Sequence, residues 1–107
     1  MIKKCFLEAE KEGSAVPVIQ LKDSIRRISE GQSEGIDRSN FRIVQTPQVF
    51  DLASLRSAYE QPYREQFTDD ASVMESAGKK IHLVEGEPEN IKLTTQIDLK
   101  LAEWLLR

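Results

Sequence analysis

The sequence predicts a mixed α/β fold. Segments with helical spacing of apolar residues alternate with short, β-branched runs, the pattern of helices packed on a sheet. Glycines punctuate the ends of several of these segments, at Gly13, Gly78 and Gly86. The strands are fewer than in a sheet of usual size, so part of the sheet is expected to lie outside these residues.

Residues 1–12 read as a helix that Gly13 stops. Ala15-Val16-Pro17-Val18-Ile19 is a short apolar strand, and Pro17 places it at an edge or at a strand start. Ser24 to Gln45 reads as a hairpin. Ser24-Ile25-Arg26-Arg27-Ile28 forms one side, the turn-rich Ser29–Gly35 the tip, and Phe41-Arg42-Ile43-Val44-Gln45 the return. Its strands carry too few large apolar residues to form a core, and an isolated hairpin is marginal in water. It is expected to pack on another surface, such as a second subunit.

Thr46-Pro47 marks a turn. Leu52, Leu55 and Tyr59 then follow helical spacing behind Asp51. A further helix opens at Thr68, read as its cap, with Asp69 and Asp70 in the first turn, and Gly78 ends it. Lys80–Gly86 and Asn90–Thr94 read as strands. The last helix starts near Thr95, with Asp98 three residues on as in a capping box, and Arg107 suits its C-terminus.

The chain has 107 residues, 39% apolar and 31% charged, which is compatible with a folded core. Its net charge of -3 lacks the basic excess of a nucleic-acid binder, and Lys22, Arg26 and Arg27 form only a short basic cluster. The single cysteine, Cys5, excludes an internal disulfide and reads as a small buried apolar residue. The first residues show neither a signal peptide nor a membrane span, so a cytoplasmic location is expected.

Alternation along Asn90–Thr94 would put Asn90, Lys92 and Thr94 on one face: an amide, an ammonium and a hydroxyl, a grouping able to hold phosphate. The same pattern also fits a solvated edge strand. Thr68 either caps its helix or lines a cleft at a helix N-terminus. Asp69 and Asp70 read as partners of the helix dipole, since no further ligand cluster points to metal. Arg38 suits forked binding of phosphate oxygens, although an Asp37–Arg38 pair in a turn is commonly a surface ion pair. His82 reads as a satisfied strand histidine.

Several segments, in order, resemble one family. They are Ala15-Val16-Pro17-Val18, Asp23-Ser24-Ile25-Arg26, Asp37-Arg38, Gln45-Thr46-Pro47-Gln48-Val49-Phe50, Thr68-Asp69-Asp70-Ala71-Ser72, Val84-Glu85-Gly86, Asn90-Ile91-Lys92-Leu93-Thr94 and Asp98-Leu99-Lys100-Leu101-Ala102-Glu103. From Ala15 to Glu103 the chain is similar to the C-terminal half of the 2-C-methyl-D-erythritol 4-phosphate cytidylyltransferases. The resemblance implies a Rossmann-like α/β nucleotidyltransferase sheet with a protruding β-hairpin arm, here residues 24–45, that embraces a second subunit in a homodimer. It implies cytidylyl transfer from CTP to 2-C-methyl-D-erythritol 4-phosphate, with Mg2+, in isoprenoid biosynthesis.

By the same resemblance, Lys92 and Arg38 are the catalytic cations, Arg38 acting in the other subunit's site. Ser24, Thr46, Thr68 and Thr94 match substrate-binding positions. Ser24 stands where the family usually has threonine, Arg26 where it has lysine, and Gln96 where proline is frequent. The family's glycine-rich CTP loop and its metal-binding aspartate are not found in these residues, and no Gly-x-Gly occurs. The chain is therefore expected to be inactive alone. Two alternatives fit much of the same pattern: a cytidylyltransferase for ribitol 5-phosphate or a similar polyol phosphate, and a non-catalytic dimerisation fragment.

Overall fold

The computed structural model describes residues 1–106. Arg107, expected to favour the last helix terminus, lies outside the described residues. Helix α1 (Ile2–Glu12) ends at Gly13, whose φ of 86° turns the chain left-handed while its N–H bonds the Ala9 carbonyl. Strand β1 (Ser14–Gln20) follows at once.

β1 is the centre of a four-stranded sheet, with β4 (Arg42–Val44) and β5 (Val49–Phe50) both antiparallel to it and β6 (Leu83–Glu85) parallel to it. The edge position expected from Pro17 is thus corrected. Pro17 sits in the central strand because its missing N–H falls where the neighbouring ladder breaks. Val18 pairs with Val44, and Ala15 with Val49, so three residues along β1 correspond to five along the returning chain. The two extra residues, at the cis Thr46–Pro47 peptide, lie opposite Pro17, whose carbonyl still accepts from the Gln45 N–H at 2.8 Å.

The hairpin is real, but its partners differ from those expected. β2 (Ile25–Ser29) pairs with β3 (Gln32–Ile36), not with Phe41–Gln45. Glu30 and Gly31 both have positive φ, 51° and 78°, which closes a two-residue turn of the twist that favours hairpins. The segment read as a loose tip is therefore a strand. Only Ile25 and Ile36, at the base, are partly buried. After a single 3₁₀ turn over Arg38–Asn40, Arg42–Val44 returns to β1 because Ile43 and Val44 find an apolar partner there and not on the hairpin.

Helices α2 (Leu52–Ala58) and α3 (Asp70–Ser76) pack together through Ala58, Val73 and Met74, with Phe50, Leu55, Phe67 and Ile81 around them. Asp51 caps α2 by accepting from the Ser54 N–H, as its position suggested. The cap of α3 is Asp69, not Thr68: Asp69 and Ser72 bond each other's backbone reciprocally, which places Thr68 one residue ahead of the helix. Tyr59 donates to Asp70 and ties the end of α2 to the first turn of α3.

A second core forms where α1 lies on β1, around Cys5, Ala15 and Val84. Burial pushes the Cys5 thiol up from its ordinary value, which holds it in the unreactive protonated form. Of the expected Lys80–Gly86 strand only Leu83–Glu85 pairs. His82, just ahead of it, contacts Glu8 of α1 at 3.1 Å. Asn90–Thr94 is not a strand: no neighbouring strand offers it a ladder, and side chains hold its backbone instead. Helix α4 (Gln96–Leu105) closes the chain with the predicted Thr95–Asp98 capping box. Among the described residues no helix is long and apolar enough to cross a membrane.

Candidate functional site

A cleft of about 420 Å³ opens beside the break between β4 and β5. Ile19, Ile43 and Val44 form an apolar wall, while Thr46, Gln48, Asp69, Asn90, Lys92 and Asp98 supply polar groups. Each wall comes from a different part of the chain. Thr46 and Gln48 leave β4, Asp69 caps α3, and Asn90 and Lys92 come from the irregular segment before α4.

The two carboxylates are already occupied. Asp69 accepts from the Ser72 N–H at 2.9 Å and from the Gln48 amide at 3.1 Å. One oxygen of Asp98 accepts from the Thr94 hydroxyl at 2.9 Å and from the N–H groups of Thr94 and Thr95 at 3.2 and 3.1 Å. Lys92 forms no ion pair among the described residues. The cleft therefore holds one cation whose charge is not cancelled by an ion pair, together with two carboxylates that take part in structural bonds. Such a cation is available to an anion.

The Thr94 hydroxyl, followed by its N–H and by the Thr95 hydroxyl, draws the Asp98 carboxyl below its ordinary value of 3.8. A lowered folded-state value contributes stability that is present above 3.8 and lost as the pH falls through the folded value. Acidification below about pH 4 is therefore expected to fray α4. Far-ultraviolet circular dichroism should show this loss of helix in the native chain. Asp98→Ala should lack the cap at neutral pH and lose the acid step.

Of the residues expected to form the site, Thr46 and Lys92 come together in this cleft. Thr94 is adjacent, with its hydroxyl engaged by Asp98. Thr68 is exposed ahead of α3, its N–H donated to the Ser72 hydroxyl, and its neighbour Asp69 is the residue that lines the cleft. Ser24 is exposed at the base of the hairpin. Arg38 lines a separate pocket of about 370 Å³ with Gln20, Leu21, Asp37, Ser39 and Arg42. Asp37 is not its ion-pair partner. That carboxylate caps the 3₁₀ turn, accepting from the Ser39 N–H and hydroxyl at 3.0 and 2.8 Å, and these bonds hold it below its ordinary value.

Two residues essential to the architecture of the cleft had no signal in the sequence beyond their place in a motif: Gln45 and Gln48. Gln48 bridges to α3 through the Ala71 N–H and the Asp69 carboxylate. Gln45 is buried and bonds the opposite wall. The divalent ion expected from the resemblance finds no ligand set here. Among the described residues no three His, Cys, Asp or Glu side chains converge.

Comparison with known proteins shows the family. The family model of IspD, 2-C-methyl-D-erythritol 4-phosphate cytidylyltransferase, matches residues 1–107. A curated relative of that name from Bacteroides fragilis is 49% identical over 106 residues, covering 99% of this chain and 48% of its own length. One from Bacillus licheniformis is 39% identical and 47% covered. A crystal structure of the Thermus thermophilus protein of that name superposes with a TM-score of 0.80 at 35% identity, over 97% of this chain and 53% of that one. The chain thus spans about half the length of the relatives it matches. What this overlap establishes is the family and the extent of the match, not the C-terminal placement expected from the resemblance.

Proposed function

The chain belongs to the 2-C-methyl-D-erythritol 4-phosphate cytidylyltransferase family, and from that premise we propose that it forms the acceptor side of a cytidylyl-transfer site. The acceptor is 2-C-methyl-D-erythritol 4-phosphate. The observation that carries this reading is the cleft lined by both Thr46 and Lys92, the latter free of any ion pair among the described residues, with one apolar wall. The ammonium and the hydroxyl suit a phosphate, and the wall of Ile19, Ile43 and Val44 suits the acceptor's carbon chain.

In this proposal an oxygen of the acceptor phosphate attacks the α-phosphorus of CTP, and the bond to pyrophosphate breaks. Little covalent chemistry falls to the protein, and the gain comes from position and fixed charge. Lys92 draws the acceptor phosphate into the cleft and offsets charge that builds as the new P–O bond forms. Thr46 orients it. Thr94, bonded to Asp98 beside the cleft, contributes next to them, and the substrate roles of Thr68 and Ser24, which do not line the cleft, rest on the family resemblance alone. The residues that bind CTP and any Mg2+ lie outside the 107 residues, and no step is assigned to a metal here. Both substrates are charged phosphates that do not cross a bilayer, which supports a cytoplasmic setting.

Arg38 lines a different pocket from Lys92. That separation supports its delivery into the site of a second copy, with the exposed β2–β3 hairpin as the arm. The same exposure supports the second reading, a dimerisation element without catalysis. Joining this chain to the non-overlapping half of the Bacteroides fragilis relative separates the two. The joined enzyme is expected to release pyrophosphate from CTP when 2-C-methyl-D-erythritol 4-phosphate is supplied, and the 107-residue chain alone to release none. Turnover by the chain alone would sink the claim that CTP is held elsewhere.

A further inference from the structure

Gln45 is the one glutamine among the buried residues, and none of its side-chain bonds goes to another side chain. Its amide nitrogen donates to the carbonyls of Glu87 and Asn90 at 2.7 and 3.0 Å, and its amide oxygen accepts from the Glu87 N–H at 3.1 Å. All three bonds fasten the turn that ends two residues before Lys92. Asn90 answers from the other side, its amide donating to the Thr46 carbonyl at 2.6 Å. The backbone of Glu87–Asn90 has no strand partner, so these side-chain bonds replace the ladder that would otherwise fix it.

Gly86 belongs to the same device. Its φ is not in the left-handed region, so the backbone tolerates any residue. The space does not: a Cβ there would collide with the Gln45 amide oxygen, and would lie 3.2 Å from its Cδ and 3.1 Å from the Val18 carbonyl oxygen. The glycine is required because the glutamine amide occupies the place of its side chain.

We propose that Gln45 is a positioning residue for the acceptor phosphate, acting through the backbone of Glu87–Asn90 to hold Lys92 on the cleft wall, with Gly86 leaving the room its amide needs. The proposal rests on the reading of Lys92 as the phosphate-binding cation. Gln45 reaches the acceptor only through Lys92, so loss of its amide removes the same contribution that loss of Lys92 removes. Gln45→Glu keeps the shape and the acceptor for the Glu87 N–H. It loses both donated bonds and sets a carboxylate against two carbonyls.

The test is a mutant cycle in the joined enzyme. Gln45→Ala and Gln45→Glu are each expected to lower kcat/KM for the acceptor by about 10- to 100-fold, as misplacement of a working group does. In a Lys92→Ala background the same changes should lower it by less than about twofold, because residues acting as one unit are not additive. Their effect on thermal stability should be alike in both backgrounds. Gly86→Ala reaches the same contact from the turn, so a Gln45 variant that does not fold leaves the test intact. Gly86→Ala should show the same dependence on Lys92, and should cost less when Gln45 is already alanine. Equal fold-losses with and without Lys92 would overturn the proposal, since Gln45 and Gly86 would then act on stability alone. A Lys92→Ala enzyme as active as the parent would instead remove the reading beneath it.

Discussion

Two inactive variants, mixed, are expected to restore activity. In the joined enzyme, Arg38→Ala and Lys92→Ala should each lower kcat/KM by about two orders of magnitude or more, the usual loss when a fixed charge at the reacting centre is removed. If Arg38 reaches the site of its partner, a mixed dimer carries one site with both residues intact and one with neither. Random exchange of subunits then gives roughly a quarter of the parental activity. The expectation follows from the separate pockets of Arg38 and Lys92 and from a hairpin that buries only its base in its own chain. Recovery no greater than the sum of the two variants would place both residues in one subunit's site.

Lys92→Ala should have the largest single effect, about 100- to 1,000-fold in kcat/KM. Lys92→Arg should recover only part of it. The guanidinium keeps the charge but is broader and planar, whereas the ammonium acts as a compact point charge. The loss should appear in kcat as well as in KM if the ammonium meets charge that grows during transfer. A change in KM alone would assign it to ground-state binding. Steady-state rates of pyrophosphate release over a range of acceptor concentrations separate the two.

Local features were legible in the sequence because their physics is local. Gly13 stops α1, Asp51 caps α2, and Thr95 with Asp98 opens α4, each decided by residues within one turn of one another. The cap of α3 slipped by one residue, from Thr68 to Asp69, because both residues suit a cap and only the reciprocal bond with Ser72 separates them. Pairing over distance was not legible. Phe41–Val44 has the composition of a hairpin return, yet its partner is β1, and nothing local says so. Asn90–Thr94 alternates like a strand, but a strand needs a neighbour, and here a buried glutamine holds the preceding turn.

The site was legible in part for the same reason. Lys92 and Thr46 stand in segments whose order resembles one family, and that resemblance alone assigns both to one site. Gln45 and Gln48 stood in the same motif with no role, because burial and bonding to residues far along the chain leave no mark on a single sequence. The pocket of Arg38 lies apart from the cleft, a division that spacing along the chain does not express.

Choice of acceptor tests the central claim most directly. The joined enzyme should be supplied with CTP and, in parallel, with 2-C-methyl-D-erythritol 4-phosphate or ribitol 5-phosphate, and the cytidylylated product measured. The account predicts product from the branched methylerythritol phosphate in clear excess, dependent on Lys92. Equal or greater product from ribitol 5-phosphate would contradict it and assign the cleft to another polyol phosphate.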